Sequence, residues 1–432
     1  MGRQVIADVS LETYLKSLCK MQEIITGLII GQPSKTSKDN VVHFARTPTE
    51  GTKIDSLSQV DVSAFANHVA DTLKMLPGGM FILGVFVVGP KDVFSDNAGV
   101  QKLKSLIVNL QHTIKGNKVL LGDSDSFDDG EKLVLWYSSS NNSFACKNFS
   151  GDSTKGAQLK GVDFKFQPKL AQNWVTFETF YKLNEHLAIE DVENASNEDV
   201  LMLPLKYLSG ALDKSKVFFN GAPYDASETV EKVTNDSRTV QAQVFKICDP
   251  VETENLESKS VEKADHTIMA QGFLSSRTFL PLKATLAEAE AFIKQDILRT
   301  LAARIQILAD SLVDTKVTVG EVVINEPPRR IYFPIAAKDS LLFSDYLFPN
   351  ETIDTISQQI KQNLDVTLKP DQIQLNVEVV CDNQTSQKEH KSKDDKSAKG
   401  HQQAASGKIY FIMIIVAVLV LILSIIAHFY LN

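Results

Sequence analysis

The chain has 432 residues, 45 of them basic and 53 acidic, for a net charge of −8. Neither half is a basic array, so this balance excludes nucleic-acid binding by bulk electrostatics. The 43% of hydrophobic residues suffices for substantial cores, and the four cysteines (Cys19, Cys146, Cys248, Cys381) form no CxxC pair, which favours free thiols in a reducing compartment over a disulfide framework.

The N-terminal part alternates strand and helix signals. Residues 10–18 predict a short helix capped by Ser10. Residues 24–30 are an apolar run closed by Gly31, and residues 41–45 a short strand. Residues 63–76 put Phe65, Val69, Leu73 and Leu76 on one helical face, with Asp61 or Ser63 as cap and Pro77-Gly78-Gly79 as the stop. Residues 80–88 carry no polar side chain, the pattern of a central strand covered on both faces. A helix over residues 100–114 and strands at 131–137 and 143–149 complete an α/β layer domain spanning 1–155. The polar stretch 151–161 marks a joint.

A second α/β domain is expected over 156–380. Its strand signals fall at 174–180, 240–248, 266–273, 330–335 and 373–380, with an acidic loop at 191–199. The pattern Thr285-Leu-Ala-Glu288 is a capping box. It opens a long helix with Ile293, Ile297, Leu301, Ile305, Leu308 and Leu312 on one face. Residues 352–364 predict a further helix.

Residues 381–408 read as a disordered polar tether, since they cannot bury enough to order themselves. Residues 409–430 then run for 22 positions without Asp, Glu, Lys or Arg, and 15 of them are Ile, Leu, Val or Phe. As a helix this run is about 33 Å long, enough for a hydrocarbon core of about 30 Å, and Tyr410 and Tyr430 bracket it as interfacial anchors. Only Leu431 and Asn432 follow, which predicts a single transmembrane helix of the tail-anchored kind. Residues 1–31 hold no long apolar signal, being broken by Asp8, Glu12, Lys16, Lys20 and Glu23. Lys396, Lys399 and Lys408 precede the span and no charge follows it, so residues 1–408 are expected in the cytosol, at the endoplasmic reticulum or on cytoplasmic vesicles. Six N-x-Ser/Thr sequons, beginning at Asn141, Asn148, Asn194, Asn235, Asn350 and Asn383, would then meet no glycosylation machinery.

Motifs for chemistry are sparse. The eight His form no metal-binding pair, and no GxSxG, Walker A or GxGxxG stretch occurs. Cys248 and His266 lack a local motif for nucleophile and base. Asp123, Asp125, Asp128 and Asp129 lack the Gly and Glu of a calcium loop and read as a solvated turn. One place carries more. Gly84-Val-Phe-Val-Val-Gly-Pro90 resembles the strand end of the MPN (JAMM) fold, where Gly-x-x-His-x-His-Pro is followed by Ser-x-x-Asp. In that register the zinc-ligand positions hold Val87, Gly89, Asn97 and Val100, which implies a catalytically dead member with no metal or cofactor. A generic α/β strand ending in a Gly-Pro turn is the other reading of the same residues.

Across nearly its full length the chain resembles the odorant response abnormal protein 4 family. The carriers are Gly27-Leu-Ile-Ile-Gly-Gln32, Met75-Leu-Pro-Gly-Gly79 with Leu83-Gly-Val-Phe86, and the pair Arg330-Ile-Tyr-Phe-Pro334 and Ser344-Asp-Tyr346. The resemblance implies a non-catalytic, membrane-anchored adaptor. It would assist folding, trafficking and ciliary localisation of a subset of G-protein-coupled receptors, notably odorant receptors. It further implies pairing with the ubiquitin-fold-modifier-specific protease, held at the membrane. Competing readings are an isopeptidase of the MPN class, which the four unsuitable side chains oppose, and a general tail-anchored vesicle-trafficking protein. A SNARE-type fusion protein would need apolar heptads next to the membrane, which 381–408 lack.

Overall fold

The computed structural model describes residues 3–34, 38–49, 51–117, 120, 130–150, 159–168, 174–188, 197–247, 267–312, 326–335 and 341–378. The aspartates of the expected solvated turn (Asp123, Asp125, Asp128 and Asp129), the Cys248–His266 pair, Cys381, Asn194 and Asn383, the tether and the span at 409–430 all lie outside these residues. Contacts divide the chain into Met1–Val379 and Val380–Asn432. Among the described residues no helix is long and apolar enough to cross a membrane.

Eight strands build the first sheet: β1 Gln4–Asp8, β2 Ile25–Gln32, β3 Asp39–Arg46, β4 Phe81–Gly89, β5 Glu131–Ser138, β6 Phe144–Ser150, β7 Leu159–Gly161 and β8 Asp163–Gln167. Their order is β7-β6-β5-β4-β2-β3-β1-β8. The pairs β1–β3, β1–β8 and β4–β5 are parallel and the rest antiparallel. Both β2 and β4 are buried along their whole length, as strands in the sheet centre should be; β4 has no polar side chain, and β2 is apolar apart from Thr26 and Gln32. The two edge strands flank a single residue, Val162. Its N–H donates to the Cys146 carbonyl of β6, while the next N–H, of Asp163, donates to the Arg3 carbonyl beside β1. One short segment therefore ladders first one end of the sheet and then the other, and the sheet curls until its ends meet.

Three helices accompany this sheet. Helix α1 (Val9–Leu18) is capped by the carboxylate of Asp8, which accepts the Ser10 N–H at 2.9 Å, so the cap is Asp8 and not Ser10. Helix α2 (Val62–Met75) takes Asp61 as its cap. Helix α3 (Asn97–Gly116) starts three residues before the expected 100, because the Asp96 carboxylate accepts the N–H groups of Ala98 and Gly99.

The second sheet has the order β10-β11-β9-β12, with β9 Trp174–Ala188, β10 Lys216–Phe219, β11 Thr239–Phe245 and β12 Thr267–Pro281. β9 and β12 pair antiparallel over their full 15 residues. Helix α4 (Asn197–Asp213) begins inside the stretch expected to be an acidic loop. Helix α5 (Leu286–Leu312) opens with the expected capping box: Glu288 accepts the Thr285 N–H at 2.8 Å, and Thr285 Oγ1 accepts the Glu288 N–H at 3.2 Å. Strands β13 (Arg329–Pro334) and β14 (Leu342–Leu347) pair antiparallel, and helix α6 (Ile353–Leu364) follows. The strand expected at 373–380 is absent over its described part, residues 373–378, where Gln374 makes a single bridge to Tyr332. Glu378, near its end, turns its carboxylate inward instead. The architecture is mixed α/β, and the buried apolar side chains of both sheets join one contiguous cluster.

Candidate functional site

The four positions of the MPN register fall at one end of β4. Val87 is fully buried, flanked by Thr26 of β2 and Trp136 of β5. Gly89 ends the strand, and its carbonyl accepts the Ser139 N–H at 3.1 Å. Asn97 is the exposed first residue of α3, and Val100 lies half-buried one turn on. A valine and a glycine offer zinc no donor atom, so this set does not fit a zinc centre. Among the described residues no three His, Cys, Asp or Glu side chains are grouped to hold a metal ion.

The motif segments converge elsewhere, on one face of α5. The end of β2 contributes Gln32, whose Nε2 donates to the Gly79 carbonyl at 3.1 Å and to the Phe279 carbonyl of β12 at 3.0 Å. Gly78 bridges to Thr278 so closely that a Cβ there would sit 2.1 Å from the threonine Oγ1. Gly79 has φ +81°, which favours glycine. Just upstream, the carbonyls of Leu76 and Pro77 follow the end of α2. The fully buried Arg299 of α5 takes both through Nη1, at 3.1 and 3.0 Å, and the Leu120 carbonyl through Nε at 2.7 Å. Burial drives this guanidinium down to about 10; Asp296 opposes the shift and Arg330 adds to it.

One turn back on α5, Asp296 receives Arg330 of β13 in a two-pronged pair, Nη1 to Oδ2 at 2.7 Å and Nη2 to Oδ1 at 3.0 Å, with both side chains fully buried. Arg330 also donates to Ser344 Oγ at 3.0 Å and to the Ser275 carbonyl at 3.1 Å. Burial pushes Arg330 down, but Asp296 and the neighbouring tyrosines outweigh it and the net direction is upward. Tyr332 donates to the Ser275 carbonyl at 3.1 Å, and Tyr346 to Thr300 Oγ1 at 3.2 Å. Glu378 closes the group, accepting the N–H of Ser275 at 2.7 Å and of Arg330 at 3.0 Å while pairing with Arg304.

This arrangement is a clamp and not a reaction centre. Its charged groups are engaged with one another or with backbone, and it presents neither a nucleophile with a base nor an open ligand position. The residues that carry the resemblance therefore fix how β2, α2, β12, α5, β13 and β14 lie together. Sequence reasoning missed Asp296, Arg299 and Glu378. A signal was present: Asp296, Thr300 and Arg304 follow at steps of four beside the apolar stripe of α5, a polar line on a face otherwise headed inward.

A cavity of about 310 Å³ opens between α2, α5, β14 and α6, lined by Asp71, Lys74, Ile307, Asp345, Phe348 and Glu351 among others. Burial pushes the Asp345 carboxyl up to about 7; its own bond from the Tyr346 N–H opposes this, and Glu351 and Asp71 add to it.

The family model described as Odorant response abnormal 4-like matches residues 27–375, a span that contains every segment of the clamp except Glu378. The protein odr-4 homolog of Drosophila melanogaster is 26% identical, with 99% of each chain covered. That of Gallus gallus is 25% identical over 88% of each chain. Odorant response abnormal protein 4 of Caenorhabditis elegans is 18% identical, over 84% of this chain and 78% of its own. Among solved structures, the crystal structure of UfSP from C. elegans is similar with a TM-score of 0.43 and 8% identity, covering 84% of this chain and 57% of that one. With a family model matched across most of its length and relatives aligned nearly end to end, the chain belongs to the odorant response abnormal 4-like family.

Proposed function

We propose that this protein is a non-catalytic, tail-anchored adaptor that helps odorant receptors and related G-protein-coupled receptors fold, leave the endoplasmic reticulum and reach cilia. It also holds the ubiquitin-fold-modifier-specific protease at the membrane. The observation that carries the reading is the family match over residues 27–375. Two features support it. The positions where an MPN enzyme needs zinc ligands hold Val87, Gly89, Asn97 and Val100, and the motif residues are spent on a buried clamp. Residues 409–430 supply the uncharged run that an anchor needs.

The test is deletion of residues 409–430, read by delivery of a tagged odorant receptor to cilia and by co-purification of the modifier protease with membranes. Both should fall to the level of cells lacking the protein. Undiminished receptor delivery by the truncated form would sink the anchored-adaptor reading. Zinc-dependent cleavage of modifier conjugates by the purified full chain would instead favour an enzyme.

A further inference from the structure

Helix α6 ends on two histidines. The carbonyl of Leu364 accepts from His43 Nε2 of β3, and the carbonyl of Asn363 accepts from His68 Nε2 of α2, each at 2.7 Å. The last carbonyls of a helix have no partner within it, so the two rings supply the missing donors. A carbonyl can only accept, so each neutral ring carries its hydrogen on Nε2 and leaves Nδ1 bare. His68 Nδ1 lies 3.3 Å from Thr47 Oγ1 and takes its hydroxyl hydrogen. Both rings are buried, 8% and 3% exposed. Asp365 follows in the left-handed region and is held by the Tyr14 hydroxyl at 2.7 Å and by Arg46 at 3.8 Å. Along the whole helix only Ile356, Ile360 and Leu364 are buried.

We propose that α6 is a proton-operated latch: two neutral imidazoles grip its final carbonyls, and acid releases the helix from β3 and α2. A second proton must go to Nδ1. In His68 this forces the Thr47 hydroxyl to reverse, and in both rings it leaves a cation where water cannot reach. Burial holds both histidines below their ordinary value; the carbonyl bonds oppose this, as do Asp365 at His43 and Asp71 at His68. A base whose folded value is depressed gives stability that is present above its ordinary value and lost as pH falls through the folded one. Once α6 lifts, the rings return to about 6.5, so near pH 5 opening can gain at most about thirtyfold per ring.

One group in the cavity beside the helix, Asp345, pulls the opposite way. The cavity beside α6 holds Asp345, Glu351, Asp71 and Lys74. Asp345, pushed up to about 7, binds a proton near neutrality only while it is covered, so its protonation tightens the closed form as pH falls. The histidines and Asp345 are therefore opposed, and each is separable by substitution.

The experiment is hydrogen exchange read by mass spectrometry on the full chain at neutral pH and near pH 5, corrected for intrinsic rates. Exchange across α6 should rise several-fold in acid while β2 and β4 stay protected, and it should rise further in Asp345→Asn. In the double variant His43→Gln, His68→Gln, whose amides keep a donor but take no proton, the rise should vanish. An equal acid response in wild type and double variant would overturn the latch, as would no acid response in Asp345→Asn. If the double variant fails to fold, histidine resonances of the wild type decide: both rings must titrate below the ordinary value, and a ring titrating at or above it defeats the proposal.

Discussion

Arg330 and Asp296 illustrate what a buried charge does to a fold. Neither touches water, so each depends on the other. Truncating one partner, as in Asp296→Ala, strands a guanidinium and should cost about 3–5 kcal/mol. Thermal denaturation would show it as a large fall in Tm. Replacing both with apolar residues of similar size, Asp296→Leu with Arg330→Met, should recover part of that loss, because neither member of the pair is left stranded, although buried Arg299 gives up the nearby Asp296 charge as well as the Arg330 repulsion. Losses that simply added in the double variant would mean the pair is not coupled. Arg299 obeys the same logic with neutral partners. Its acceptors are backbone carbonyls, so a lysine in its place could not span Leu76, Pro77 and Leu120 at once.

At the level of the element, strong patterns in the sequence translated well. The apolar runs of β2 and β4, the stripes of α2, α3 and α5, and the capping box of α5 stand where periodicity and capping chemistry put them. The box makes a direct test: Thr285→Ala should cost about 0.5–2 kcal/mol, and Glu288→Ala less. Denaturant titration checks it, and an unchanged midpoint for Thr285→Ala would show that tertiary packing alone holds the helix start. The missed elements have physical reasons. β1 and β7 are short strands at the sheet's ends without a periodic signal, and β8 alternates polar and apolar over only five residues beside the expected joint. β14 is interrupted by Ser344 and Asp345, which read as turn residues until Arg330 is seen reaching Ser344. In α4, Pro204 lies inside the helix and masks it. The candidate site was less legible than the fold. Its charges come from segments tens to hundreds of residues apart, and local spacing does not report such pairings.

For the molecule as a whole, the important fact is the single cluster of buried apolar side chains shared by both sheets. The clamp on α5 ties that cluster to segments from β2 to Glu378. Such a body should melt as a unit, with the calorimetric enthalpy of residues 3–378 equal to the van't Hoff value. Two resolved transitions would favour independent domains divided near residues 155 and 156.

The strip that stitches β6 to β1 has a cost during synthesis. Until residue 167 has been made, the nascent chain carries two raw strand edges, each an invitation to pair with a neighbour. At ribosomal speeds of about 5–20 residues per second, the gap between finishing β6 and finishing β8 lasts about one to three seconds. A message broken anywhere between those two points would yield a sticky fragment, so a few late residues guard this protein's solubility out of proportion to their number.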